Sequence, residues 1–122
     1  MDNSKSIILL AGLFFILIFL TGLWVRSDGK PYNTVILTIH KLISLAAGIV
    51  LGITLYRLNQ AAGLNSAALT AVVVTGVLFV LTVLSGGIWS IEKELPVVVL
   101  RLHQVSPFFT VLSTGVMLYL VI

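Results

Sequence analysis

The sequence predicts an all-α integral membrane protein, a four-helix bundle with up-down-up-down topology. Apolar residues make up 59% of its 122 residues and charged residues only 9%, whereas an ordinary soluble domain has about 25% charged residues. The mean hydropathy of +1.19 points the same way. Four apolar segments, approximately 6–25, 33–56, 66–89 and 96–122, each reach the roughly 20 residues that a helix needs to cross the hydrocarbon core. Helices and closed barrels are the only structures that span lipid.

The first segment has no charged residue. Its apolar run is too long for a signal peptide, and it ends in Gly-Leu-Trp-Val-Arg rather than in a small-x-small cleavage site, so we expect it to stay as helix 1. The connections 26–33, 57–65 and 90–95 are short, as between antiparallel neighbours in a bundle. They leave no room for a soluble domain, and we expect one transmembrane domain over 1–122.

Composition excludes several function classes. The chain has no cysteine, which excludes disulfides, thiolate metal sites and covalent haem attachment through C-x-x-C-H. A net charge of +3 is too small and too scattered to indicate nucleic-acid binding. The four acidic residues, Asp2, Asp28, Glu92 and Glu94, lie in the tail or in loops, so no intramembrane carboxylate is available for an ion or proton relay. Phosphate loops, nucleophile elbows and H-E-x-x-H motifs do not occur.

The chain contains an internal two-helix repeat, approximately 1–60 and 61–122. The first copy reads TGLW at 21–24, followed by a loop proline and His40; the second reads GGIW at 86–89, followed by a loop proline and His103. Each copy crosses the bilayer twice, which predicts a pseudo-twofold axis along the membrane normal. Each histidine lies seven residues into its predicted segment, roughly 10 Å deep, so both should occupy the same leaflet.

His40 and His103 are the only histidines, and ionisable residues inside a membrane are costly and usually functional. Two matched imidazoles favour the two axial positions of one haem b. Zinc usually takes four ligands, and no cysteine or carboxylate is expected at this depth. Two alternatives stay open: a chlorophyll, which needs one axial histidine per pigment, and a pair of buried polar groups bonded to Ser44, Ser106 or a carbonyl.

Several neighbouring residues complete the candidate cofactor site. Ser44 shares a helix face with His40. Gly22, Gly86 and Gly87 end helices 1 and 3 near the histidine depth, where residues without side chains would leave space for a porphyrin edge; alternatively they reflect the general abundance of glycine in transmembrane helices. Lys41 and Arg101 flank the histidines and are candidates to pair with haem propionates or to snorkel to lipid phosphates.

With His40 and His103 on the second and fourth helices and glycines opposite them, the chain resembles the small four-helix membrane cytochromes b, broadly the cytochrome b561-like group. The resemblance covers all four helices and implies b-type haem and electron transfer. That family usually carries two haems on two histidine pairs, one near each membrane face. This chain has one pair, so the resemblance implies one haem and electron transfer at one face.

The function expected from these features is that of a membrane b-type cytochrome. Any catalysis would be that of a haem-dependent oxidoreductase. The expected partners are the lipid membrane and a quinone or a redox protein, and the chain could also form homo- or hetero-oligomers. The expected location is a prokaryotic cell membrane, in which the chain is a multi-pass protein. The alternative is a haem-free structural or assembly subunit whose small-residue stripes bind neighbouring helices.

Overall fold

A computed structural model describes residues 3–91 and 94–122, and it confirms the predicted all-α fold class. The described residues form four α-helices and no strand: α1 (Asn3–Asp28), α2 (Thr34–Ala62), α3 (Ser66–Trp89) and α4 (Val97–Val121). All four are long and apolar enough to cross a membrane, so the chain is a multi-pass membrane protein. Asp2 and Glu92, which the sequence assigns to the tail and a loop, lie outside the described residues.

The first two helices end at glycines and not where their apolar segments end. Gly29 (φ +68°) follows α1 and Gly63 (φ +70°) follows α2. Glycine adopts this left-handed conformation without a steric penalty and commonly terminates helices. The helices therefore extend beyond the approximate apolar spans 6–25 and 33–56: α1 continues to Asp28 and α2 to Ala62. Polar residues mark the end of an apolar span, but they do not by themselves end a helix.

Asparagine side chains fix the starts of α2 and α3. Asn33 Oδ1 accepts hydrogen bonds from the backbone N–H groups of Val35 and Ile36, at 3.0 and 3.3 Å. Asn65 Oδ1 accepts one from the N–H of Ala68 at 2.8 Å. These bonds satisfy donors that the first helical turn cannot pair internally, so the two helices begin at defined positions.

The chain divides between Arg57 and Leu58 into two compact units. The first contains α1 and most of α2; the second contains α3 and α4. In the second unit, hydroxyl hydrogen bonds join Thr75 to Ser113 at 2.6 Å and Thr82 to Ser106 at 2.9 Å. Positions on α4 rise as those on α3 fall, so α3 and α4 form an antiparallel hairpin.

The interior of the second unit is built largely from hydroxyl-bearing side chains. Ser106, Thr110 and Thr114 are each 3% exposed, whereas Phe108 and Leu112 on the same helix are 67% and 66% exposed. Lipid tails are as apolar as leucine, so membrane helices associate through small residues and interhelical hydrogen bonds and not through a hydrophobic core. Within the part of the chain that the structure describes, every buried side-chain nitrogen or oxygen has a hydrogen-bond partner.

Candidate functional site

In the first unit, His40 of α2 lies against α1 at Gly22, six residues before α1 ends at Asp28. A Cβ built on Gly22 would lie 3.1 Å from the Cε1 atom of the His40 ring, so the absence of a side chain at Gly22 lets the imidazole contact the α1 backbone. The neighbouring Thr21 places its Oγ1 2.9 Å from His40 Nδ1. The ring is thus held by a hydrogen bond with Thr21 and lies close to Gly22.

The surroundings of Thr21 indicate which atom donates in this hydrogen bond. Thr21 Oγ1 lies 2.8 Å from the carbonyl oxygen of Leu17 and 3.1 Å from that of Ile18. A hydroxyl has one proton to donate, and a carbonyl can only accept. These two short distances favour a hydroxyl that donates to a carbonyl of the preceding turn and accepts from His40 Nδ1–H.

In the second unit, His103 of α4 lies against α3 in a similar way. A Cβ built on Gly86 would lie 2.5 Å from His103 Cε1, 2.8 Å from Nδ1 and 3.0 Å from Nε2. His103 Nδ1 lies 2.9 Å from the carbonyl oxygen of Thr82 and 3.5 Å from Ser85 Oγ. The same carbonyl also accepts a hydrogen bond from Ser85 Oγ at 3.0 Å. Because the Thr82 carbonyl can only accept, His103 Nδ1 carries a proton and donates it.

Both histidines therefore adopt the same tautomer, inferred from their hydrogen-bond partners. A neutral imidazole with its proton on Nδ1 carries the unprotonated lone pair on Nε2. This is the form in which a histidine binds a metal through Nε2 while Nδ1–H donates to a carbonyl or another acceptor that fixes the ring. The hydrogen-bond partners of both imidazoles thus favour a proton on Nδ1.

The contacts correct the register of the internal repeat. Aligning TGLW with GGIW on their tryptophans pairs Gly22 with Gly87. In the structure, Gly86 is the glycine against His103, while a Cβ on Gly87 would meet open space. The equivalent motifs are therefore Thr21-Gly22 and Ser85-Gly86, a hydroxyl residue followed by a glycine. The second copy has one extra residue between this motif and its tryptophan.

The two histidines occupy equivalent positions along their helices. His40 and His103 are each six residues after the first residue of α2 and α4, Thr34 and Val97. At 1.5 Å per residue this corresponds to roughly 9 Å along each helix.

The remaining predicted site residues lie beside the histidines in sequence but contact other groups. Ser44 Oγ donates to the main-chain carbonyl of His40 at 2.8 Å and not to its imidazole. Arg101 is exposed, and its guanidinium donates to Gln104 Oε1 at 3.3 Å. Lys41 is also exposed. The predicted pairing of Lys41 and Arg101 with propionates stays a prediction.

Sequence reasoning missed the two residues that hold the imidazoles, Thr21 and Thr82, and also Ser85, whose hydroxyl lies 3.5 Å from His103 Nδ1. Thr21 and Ser85 each precede the contacting glycine, so an alignment anchored on the hydroxyl–glycine pair could have found both. Thr82 acts through its main-chain carbonyl, and nothing in a side-chain pattern indicates that role.

A haem is compatible with this donor set. A bis-histidine haem takes one nitrogen from each of two imidazoles, and the fixed Nδ1–H tautomer presents Nε2 as that nitrogen. Among residues 3–91 and 94–122, no group of three or more His, Cys, Asp or Glu residues could hold a metal ion. Haem iron with two axial histidines needs only two imidazoles from the protein.

No protein-family model matches the sequence, and no curated protein or solved structure matches it.

Proposed function

We propose that the protein is a membrane b-type cytochrome in which His40 and His103 are the axial ligands of one haem b. The observation that carries the proposal is the matched orientation of the two imidazoles. In each unit Nδ1 lies 2.9 Å from an oxygen of the preceding helix, Thr21 Oγ1 or the Thr82 carbonyl, and the ring lies against a glycine. Buried polar groups with no ligand would need hydrogen bonds, but they would not need the same tautomer at the same helical position.

The residues around the histidines have defined tasks in this proposal. Thr21 Oγ1 and the Thr82 carbonyl orient the two rings, because an acceptor for Nδ1–H fixes the tautomer and the ring orientation. Gly22 and Gly86 let each ring lie close to the preceding helix. When bound, haem supplies reversible one-electron transfer at its iron. Lys41 and Arg101, which flank the histidines in sequence, are the candidates to pair with the propionates.

The resemblance to the cytochrome b561-like group supports the same reading, with one haem in place of two. A quinone or a redox protein is the proposed electron-transfer partner, either for the chain alone or within an oligomer, and a prokaryotic cell membrane is the proposed location. If the protein also catalyses a reaction, it does so as a haem-dependent oxidoreductase.

The spectrum of the purified protein tests the proposal. We expect a Soret band that sharpens on reduction with dithionite, and its low-spin form should be lost or converted in both His40→Ala and His103→Ala. Thr54→Ala is the matched control, because Thr54 also lies on α2 and bonds only the carbonyl of Val50 among the hydrogen bonds resolved for it. A low-spin spectrum that survives in either histidine variant would contradict the proposal. A colourless, folded wild-type protein would favour a haem-free structural subunit, and chlorophyll absorption would favour that pigment.

Electron transfer at one membrane face is the second part of the proposal. Its basis is that His40 and His103 lie near the N-terminal ends of α2 and α4, next to the connections 29–33 and 90–96. In sealed vesicles of known orientation, a membrane-impermeant reductant should act quickly only from the face that carries these connections. Equally rapid reduction from both faces would contradict this part and leave the ligand assignment standing.

A further inference from the structure

The two imidazoles are held by different kinds of acceptor. His103 Nδ1 bonds a main-chain carbonyl, that of Thr82, at 2.9 Å, and the Ser85 hydroxyl is farther away at 3.5 Å. His40 Nδ1 bonds a side-chain hydroxyl, that of Thr21, at 2.9 Å. A main-chain carbonyl remains when a side chain is replaced, but a hydroxyl does not. The two histidines should therefore respond differently when the hydroxyl residue before the neighbouring glycine is replaced.

We infer that Thr21 is the positioning residue for the ligand His40, and that Ser85, its counterpart in the repeat, has no equivalent role for His103. This inference rests on the proposed function and goes beyond it, because it assigns the orientation of one ligand to one hydroxyl. Thr21 connects His40 Nδ1 to the carbonyls of Leu17 and Ile18. It accepts from the ring and donates to the backbone, so it holds Nδ1 protonated and leaves the lone pair on Nε2.

The alternative role for Thr21 is purely structural. Threonine hydroxyls in membrane helices often bond the carbonyl four residues earlier without further purpose, as Thr54 does with Val50 at 2.8 Å and Thr70 does with Ser66 at 2.8 Å. Thr21 differs from both in having a histidine ring nitrogen at hydrogen-bond distance. A test must therefore measure which ring nitrogen of His40 carries the proton, and not only the stability of the helix.

The first measurement uses the full-length protein without haem, in detergent. The chain has only two histidines, so ¹⁵N-labelled histidine gives signals from two imidazoles, which His103→Gln assigns. Ring nitrogens with and without a proton have well-separated ¹⁵N shifts. Thr21→Val keeps the side-chain shape and removes the hydroxyl, and we expect it to lower the ratio of Nδ1–H to Nε2–H in His40 by roughly fivefold, the effect of losing one ordinary hydrogen bond.

Two comparisons make this result specific. Thr21→Ser keeps a hydroxyl and should restore the wild-type His40 ratio. Ser85→Ala should leave the His103 ratio unchanged, because the Thr82 carbonyl remains. If Thr21→Val does not fold, Thr21→Ala removes the same hydroxyl with a smaller side chain and should give the same shift. An unchanged His40 ratio in a folded variant that lacks this hydroxyl would overturn the inference.

The second measurement uses the haem-loaded protein. Removing an outer partner of a metal-binding histidine typically costs about 10- to 100-fold in affinity, so Thr21→Val should weaken haem binding by that factor while Ser85→Ala stays near wild type. A wild-type protein that takes up no haem overturns the proposed function. The ¹⁵N measurement would still test whether Thr21 orients the His40 ring. A protein that binds haem equally well with and without the Thr21 hydroxyl overturns the inference and leaves the proposed function intact.

Discussion

The imidazole of His103 fills the space that a side chain at Gly86 would occupy. An added Cβ would lie 2.5 Å from Cε1 and 2.8 Å from Nδ1 of the ring, well inside van der Waals contact. The ring cannot simply turn away, because Nδ1 is bonded to the Thr82 carbonyl. Gly86 and His103 therefore depend on each other: the ring orientation requires glycine at position 86, and the ring in turn occupies the space between α3 and α4 at this position.

The first prediction is that Gly86→Ala displaces the His103 ring. The methyl group must push the imidazole off the Thr82 carbonyl, and such overpacking costs about 1–3 kcal/mol, of which about 1 kcal/mol is offset because alanine favours the helix over glycine. We expect a changed ¹⁵N tautomer ratio for His103, reduced haem occupancy and a modest loss of stability in detergent unfolding.

Gly87→Ala is the matched control for this prediction. Gly87 is the next residue on α3 and is exposed, and an added Cβ would meet open space. It should leave the His103 signals unchanged and stabilise α3 slightly. If both variants lowered haem occupancy equally, the glycines would serve a porphyrin edge and not the imidazole.

The second prediction concerns Gly22, where the fit is looser. A Cβ would lie 3.1 Å from His40 Cε1 and at least 3.6 Å from the two ring nitrogens, so a shift of a few tenths of an ångström accommodates it. The steric cost should be about 1 kcal/mol, which is close to the gain in helix propensity when alanine replaces glycine. Gly22→Ala should therefore leave stability nearly unchanged and move the His40 ¹⁵N signals less than Gly86→Ala moves those of His103. A larger effect at Gly22 would contradict this ranking.

Composition was sufficient to predict the four helices, because spanning lipid requires about 20 apolar residues per helix and every such segment forms a helix here. The equal helical positions of His40 and His103 were also predictable by counting. The atoms that hold the rings were not, since contact with Thr21 or with the Thr82 carbonyl depends on how each helix is rotated about its axis. The tryptophan-based alignment was one residue off for the same reason: Trp24 is 58% exposed and does not share the packing that fixes the glycine.

The third prediction tests the glycine that ends α2. Gly63 has φ +70°, a conformation that costs an L-residue roughly 1–2 kcal/mol, and its N–H bonds the Asn59 carbonyl at 2.9 Å. Gly63→Ala should lower the unfolding free energy by about 1 kcal/mol with no change at either histidine. Gly12→Ala, which also meets open space but lies within α1, should not destabilise. Equal stabilities of the two variants would show that the α2 end tolerates another backbone conformation.

The last prediction separates the packing of α3 on α4 from the orientation of His103, since Thr82 contributes to both through different atoms. Its hydroxyl lies 2.9 Å from Ser106 Oγ and 3.2 Å from Thr110 Oγ1, whereas its main-chain carbonyl accepts from His103. Thr82→Val removes only the hydroxyl, and interhelical hydrogen bonds in membranes average about 0.6 kcal/mol and reach about 1.7 kcal/mol.

Because Ser106 and Thr110 are buried, we expect a loss of about 1 kcal/mol on unfolding in detergent, with the His103 ¹⁵N tautomer ratio unchanged. Thr70→Val provides the comparison, since the Thr70 hydroxyl is exposed and bonds the Ser66 carbonyl of its own helix, and it should cost less. A shift in the His103 ratio on losing the Thr82 hydroxyl would mean that the hydroxyl network, and not the carbonyl alone, sets the orientation of the ring.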